Sequence, residues 1–90
     1  MYEVVFTEAY IKLAEKWVKK HPDLRNKYYN VIELLEINPF HNSLRLHKLK
    51  GTISDFYSVS IDMKYRIIID FIIEDNRIIP LNIGDHGIYK

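Results

Sequence analysis

The sequence contains no cysteine, and its 90 residues include only three glycines and three prolines. The missing thiols exclude a disulfide framework and a thiolate metal site. The scarcity of glycine and proline removes disordered and low-complexity readings, which need many residues that loosen or break regular structure. No stretch approaches the run of about 18 apolar residues that a membrane-spanning helix requires, so no membrane association is expected. Met1-Tyr2-Glu3-Val4-Val5-Phe6 lacks the basic segment and long apolar core of an export signal, and a cytoplasmic location is expected.

Against these absences stand 48% hydrophobic and 13% aromatic residues. A chain of this size buries only about 60 to 65% of its unfolded surface, so it needs a dense core, and residues 1–90 read as a single domain without linker or repeat. Thirteen basic residues nearly cancel twelve acidic ones, for a net charge of +1. Their distribution is uneven. From His41 to Lys50 the chain carries Arg45, Lys48, Lys50 and His47 with no acid, a basic stretch suited to phosphate contact or to an ordinary solvated loop.

Residues 2–6 are β-branched and aromatic and read as a strand. Thr7 offers a hydroxyl N-cap, and Tyr10, Leu13, Ala14 and Trp17 recur at helical spacing, predicting a helix from about Glu8 to Lys20. His21-Pro22-Asp23 breaks it, because proline cannot continue a helix but can open the next. Leu24, Tyr28, Val31, Ile32 and Leu35 then form a second apolar stripe, ended by Pro39 acting on Asn38. Beyond the basic stretch the period becomes two. Phe56–Ile61, Tyr65–Ile73 and Arg77–Ile83 read as three strands joined by short turns, hence antiparallel. The expected fold is α+β, β-α-α-β-β-β, with an antiparallel sheet covered on one face by a helical hairpin. Pro80 has no N–H to donate, which predicts an edge or a locally unpaired stretch around it. In the middle strand Tyr65, Ile67, Ile69, Phe71 and Ile73 share the face toward the helices. Arg66, Ile68, Asp70 and Ile72 share the other, which is left for a ligand.

A guanidinium in an aliphatic strand needs solvent, a carboxylate or a phosphate. Asp62 and Asp70 are candidate ion-pair partners for Arg66, and a bound phosphate is the alternative. His47 and His86 flank the hairpin strands, and imidazoles suit the two proton transfers of RNA cleavage: one group takes a proton from the 2′-hydroxyl and the other gives one to the departing 5′-oxygen. Arg66 and a lysine would stabilise the pentacovalent phosphate. No metal or other cofactor is expected, since the histidine and acid spacings match no ligand set, and no glycine-rich phosphate loop or nucleophile elbow occurs.

Four segments in order, Leu46-His47-Lys48-Leu49-Lys50-Gly51, Phe56-Tyr57-Ser58-Val59-Ser60-Ile61, Tyr65-Arg66-Ile67-Ile68-Ile69 and Ile83-Gly84-Asp85-His86 with Tyr89, resemble the RelE/ParE toxin superfamily. The resemblance spans the chain in element order and is specific across residues 46–89. It implies the toxin of a type II toxin–antitoxin pair that cuts mRNA, commonly on the ribosome, and is silenced by a cognate antitoxin. His47 stands four residues before the glycine, where YafQ-like members hold a histidine and YoeB-like members a glutamate base. Lys48 and Lys50 match basic residues that contact phosphate in RelE-like members, and Arg45 belongs to the same basic segment. The resemblance further implies transition-state stabilisation by Arg66, and proton donation and substrate orientation by His86 and Tyr89. The sequence departs from the YafQ-like pattern at Ser60, where those members carry a second histidine, and at Lys64, where they carry an acid. Two other readings share the fold: a ParE-like inhibitor of DNA gyrase without nuclease activity, and a degenerate module that only binds its antitoxin.

Overall fold

A computed structural model of the protein describes residues 1–89, and the expected element order is found with one further strand and several short 3₁₀ turns. Strand β1 (Glu3–Val4) leads into helix α1 (Glu8–Lys20), a short 3₁₀ turn at Pro22–Leu24, and helix α2 (Arg25–Ile37). Strands β2 (His47–Lys48), β3 (Tyr57–Ser60), β4 (Arg66–Ile72) and β5 (Arg77–Gly84) follow, and a 3₁₀ turn at His86–Tyr89 closes the described chain. Among the described residues the sheet has five strands in the order β1-β5-β4-β3-β2.

The caps are where the side-chain chemistry puts them. Thr7 Oγ1 accepts the Tyr10 N–H at 3.1 Å, satisfying one of the free amides of the first turn of α1. Pro22 opens a 3₁₀ turn before α2, and Asn38, held extended by Pro39, ends it. α1 buries Tyr10, Ala14 and Trp17, and α2 buries Tyr28, Val31, Ile32 and Leu35 against one face of the sheet, where Ile67, Ile69, Phe71, Ile78 and Ile83 meet them. Leu13, expected in the apolar stripe of α1, is exposed. The stripe needs only one residue per turn to reach the core, and Leu13 lies off its axis.

Two expectations are corrected. The sheet is mixed, because β1 pairs parallel with β5 at Glu3↔Arg77 and Val4↔Ile78, while the other pairings are antiparallel. A parallel partner follows from the intervening helical hairpin, which carries the chain back so that β1 enters beside the last strand in the same direction. The two-residue β2, which no alternation announced, extends the sheet at its far edge. Pro80 sits in a strand that β1 flanks only at Arg77 and Ile78, and the β4–β5 register slips between Ile68 and Ile69, so Leu81 is the extra residue of a bulge. Pro80 therefore lies where β5 lacks its outer neighbour, as its missing N–H demands.

Candidate functional site

The sheet face away from the helices is built by register. Residues directly opposite on neighbouring strands share a face, and so do residues two apart on one strand. Ser60↔Arg66↔Gly84 forms one row, and His47↔Ser58↔Ile68↔Asn82 the next. The histidine from the basic segment and the arginine of the middle strand thus stand on the same side, in adjacent rows. Lys48 pairs with Tyr57, which pairs with Ile69 of the core, so Lys48 leaves the edge strand on the other side from His47. Lys50 is exposed in extended backbone ahead of the 3₁₀ turn at Gly51–Ile53.

Arg66 is held without a carboxylate. Its Nη1 donates to Ser60 Oγ at 2.7 Å. Its Nε is buried and has no hydrogen-bond partner. Among the described residues the one ion pair is the exposed Glu3–Arg77 contact at 3.9 Å, so the candidate pairs with Asp62 and Asp70 are not formed. Asp62 instead accepts the Lys64 and Tyr65 N–H groups at 2.9 and 2.7 Å, closing the β3–β4 turn. Asp70 lies four residues along β4, about 13 Å from Arg66. A guanidinium fixed on one side by a neutral hydroxyl, with a buried N–H unmet, retains its full charge for an incoming anion.

The C-terminal turn folds back over this face. Asp85 Oδ1 accepts the Gly87 N–H at 2.9 Å and the Asp85 carbonyl accepts the Ile88 N–H at 3.1 Å, which winds the chain into the 3₁₀ turn. Tyr89 and Ser58 share a hydroxyl hydrogen bond of 2.6 Å, anchoring the turn to the His47–Ser58 row. The ring of His86 lies edge-on to Tyr89, centroids 5.6 Å apart. Gly84 makes this return possible, because a Cβ there would stand 2.7 Å from Ile88 Cγ2. Ile68 and Leu49, buried but outside the main core cluster, mark a small apolar floor on this side of the sheet. The sheet face expected to be free is therefore partly roofed by residues 86–89.

His47 is exposed, yet its ring is oriented. Nδ1 lies 3.1 Å from the Arg45 carbonyl oxygen. A carbonyl only accepts, so Nδ1 carries the proton and Nε2 the free lone pair in the neutral ring. Arg45 has φ 49° and ψ 46°, a left-handed conformation unusual for a side-chain-bearing residue, and this is what turns its carbonyl to the imidazole.

Sequence reasoning missed Ser58 and Ser60, whose side chains are 0% and 6% exposed on the candidate face. The Tyr57-Ser58-Val59-Ser60 alternation was the available signal: the serines share the phase of Arg66, not that of the core. Among the described residues no group of three His, Cys, Asp or Glu side chains converges as a metal site would require. A concavity of about 570 Å³ lies elsewhere, between α1 and α2, where Phe6, Ile11, Val18 and Tyr29 line it together with Glu15 and Arg25. Its lining is mostly apolar and holds neither Arg66 nor a histidine, so its volume alone does not make it the reactive site.

A mixed sheet of five strands backed by two helices matches the fold of YafQ and YoeB toxins. The solved structure of YafQ from E. coli strain BL21(DE3) superposes with a TM-score of 0.78 at 17% identity, covering 98% of this chain and 97% of that one. A YoeB/ParE toxin from Agrobacterium tumefaciens gives 0.73 at 19% identity, covering 96% and 99%. The DinJ–YafQ toxin–antitoxin complex of E. coli gives 0.75 at 18% identity, covering 97% and 94%. No family model matches the sequence, and no curated protein does. No described helix is long and apolar enough to cross a membrane.

Proposed function

We propose that the protein is the toxin of a type II toxin–antitoxin pair and acts as a metal-independent endoribonuclease on mRNA, with the translating ribosome as its place of action in the cytoplasm. The observation that carries the reading is the uncompensated Arg66 guanidinium, set on the same sheet face as His47 and one strand end from His86 and Tyr89.

The chemistry follows from proton balance. His47, with Nε2 free, takes the proton from a ribose 2′-hydroxyl, whose oxygen attacks the adjacent phosphorus. The P–O5′ bond breaks, His86 protonates the departing oxygen, and a 2′,3′-cyclic phosphate and a 5′-hydroxyl result. Each proton-transfer group contributes about 100- to 10,000-fold. Arg66 stabilises the charge that builds on the phosphoryl oxygens, and Tyr89 orients the nucleotide beside His86. Arg45 and Lys50 supply the attractive field for the RNA backbone, and Lys48 adds to it only at long range from the other side of the edge strand.

The fold shared with a toxin solved in complex with its antitoxin supports a cognate antitoxin as partner. The apolar cleft between α1 and α2, with exposed Phe6, Ile11 and Tyr29 at its lip, is a fitting seat for an amphipathic antitoxin segment. The test is incubation of purified protein with mRNA, with and without translating ribosomes, in EDTA. Cleavage by wild type that is lost in Arg66→Ala and His86→Ala is expected. Inhibition of gyrase supercoiling without RNA breakage would overturn the nuclease reading in favour of a gyrase poison. Absence of both activities would leave an antitoxin-binding module.

A further inference from the structure

A second concavity, about 490 Å³, opens beside the Arg66 row and is bounded by Lys27 of α2, Asn42, Ser43 and Arg45 of the preceding loop, and Ser60 and Asp62 of the β3–β4 turn. Ser60 belongs to both places, since the residue whose hydroxyl accepts from Arg66 Nη1 also lines this cavity. An anion on Arg66 and a group in the cavity are thus neighbours across one side chain. We propose that this cavity is a nucleotide subsite of the ribonuclease, holding the residue next to the cleaved linkage, with its phosphate between Lys27 and Arg45.

Three observations carry the assignment. The volume lies in the range of about 300 to 1,000 Å³ typical of small-molecule sites, enough for one nucleotide. The two cations come from separate elements, a helix and a loop, so they converge by folding and not by sequence adjacency. The single acid of the wall is held to its own turn: Asp62 Oδ1 accepts two backbone N–H groups, and among the described residues no direct ion pair joins Asp62 to Lys27. Partial burial raises the Asp62 carboxyl, but the Tyr65 and Lys64 N–H groups together with Lys27 and His21 outweigh it and hold it below the usual carboxylate value. Asn42 and Ser43 face the remaining space with groups that can meet a ribose or base edge. His41 Nδ1 holds Ser43 from below, 3.2 Å from its N–H and 2.9 Å from its hydroxyl.

The subsite rests on the nuclease reading, and the experiment separates the two. Full-length protein is titrated with a short oligoribonucleotide made uncleavable by a 2′-deoxy substitution at the cut, over a series of salt concentrations, and the same variants are assayed for cleavage of the all-ribo strand. Each phosphate contact on a single strand contributes about 0.7 to the slope of log affinity against log salt. Lys27→Gln is expected to lower the slope by about that amount and to weaken binding several-fold at low salt, while a dinucleotide that carries only the scissile phosphate binds as before. Arg45→Asn, which keeps a residue tolerant of left-handed backbone, is expected to do the same. Unchanged slopes in both variants beside normal wild-type cleavage would overturn the subsite and leave the nuclease standing. Wild-type protein that neither binds nor cleaves RNA would overturn both.

Discussion

The two faces of β4 show how one strand can serve stability on one side and chemistry on the other. Ile67, Ile69 and Phe71 point to the helices and are 0%, 0% and 7% exposed. They have apolar neighbours on every side and no polar group to satisfy. Arg66, Ile68 and Asp70 alternate with them toward the open face, where the arginine keeps a buried N–H unmet and its charge unpaired. A strand selected for stability alone would not place an unsatisfied guanidinium there, because such a donor costs about 1 to 3 kcal/mol. Local rules hold on the first face and are broken on the second, which is the pattern expected where function is carried.

Substitutions on the two faces of β4 separate stability from chemistry most directly. Ile69→Ala removes buried methyl groups at a site that cannot collapse easily, and a loss of about 2 to 5 kcal/mol is expected in urea unfolding. Arg66→Ala is expected to lower cleavage by about 100- to 1,000-fold, the effect of removing one electrostatic donor from a reacting centre. Its unfolding midpoint should move far less than that of Ile69→Ala, since deletion also removes an unmet donor. If Arg66→Ala destabilised the protein as much as Ile69→Ala while cleavage per folded molecule stayed constant, the arginine would be structural and the contrast would vanish.

A smaller effect tests how dry the core side is. Tyr10 and Tyr28 share a buried hydroxyl hydrogen bond of 2.9 Å. Burial raises the Tyr10 hydroxyl well above its ordinary value of 10.0, with the neighbouring Tyr28 adding to the rise, and burial also raises Tyr28. A raised folded value means that the unfolded chain releases the proton first. The stability tied to the neutral pair is therefore complete below pH 10 and falls as pH rises above it. Melting temperature should decline above about pH 10, and the decline should shrink in Tyr10→Phe. Tyr28→Phe, which leaves the Tyr10 hydroxyl without its partner, is expected to cost about 1 to 3 kcal/mol at neutral pH. A melting profile flat to pH 11 or beyond would show the pair to be hydrated.

Much of this was legible in the residues, and the limits have physical causes. Helix α1 could be bounded at both ends because Thr7 and His21-Pro22 act locally, and the core face of β4 could be chosen because period two is a property of the strand itself. The parallel docking of β1, the bulge at Leu81 and the two-residue β2 depend on contacts between segments far apart in sequence, which no local pattern encodes. The residues of the site were read largely from resemblance, and their arrangement was not. That His47 and not Lys48 faces Arg66 depends on the register of a strand only two residues long. The fate of Asp62, a candidate partner for Arg66 that caps its own turn instead, was open in sequence because both uses need the same residue type nearby.

The left-handed backbone of Arg45 sets conformational strain beside the open face, whereas the residues on the core face of β4 lie in regular strand. Glycine adopts this conformation freely, whereas an alanine pays about 1 kcal/mol or more for it. Arg45→Gly and Arg45→Ala remove the same charge and differ chiefly in that strain, although glycine also loosens the unfolded chain. Arg45→Gly is expected to unfold at higher denaturant than Arg45→Ala by about 0.5 to 1 kcal/mol. The carbonyl that fixes the His47 tautomer should persist in the glycine variant, so its pH–rate profile should keep the shape of the wild type at reduced amplitude. Arg45→Ala keeps the Cβ and therefore the strain of the wild type, so its carbonyl should hold the imidazole as well and its profile should keep the same shape. Equal stability of the two variants would show that the positive φ carries no strain at this position.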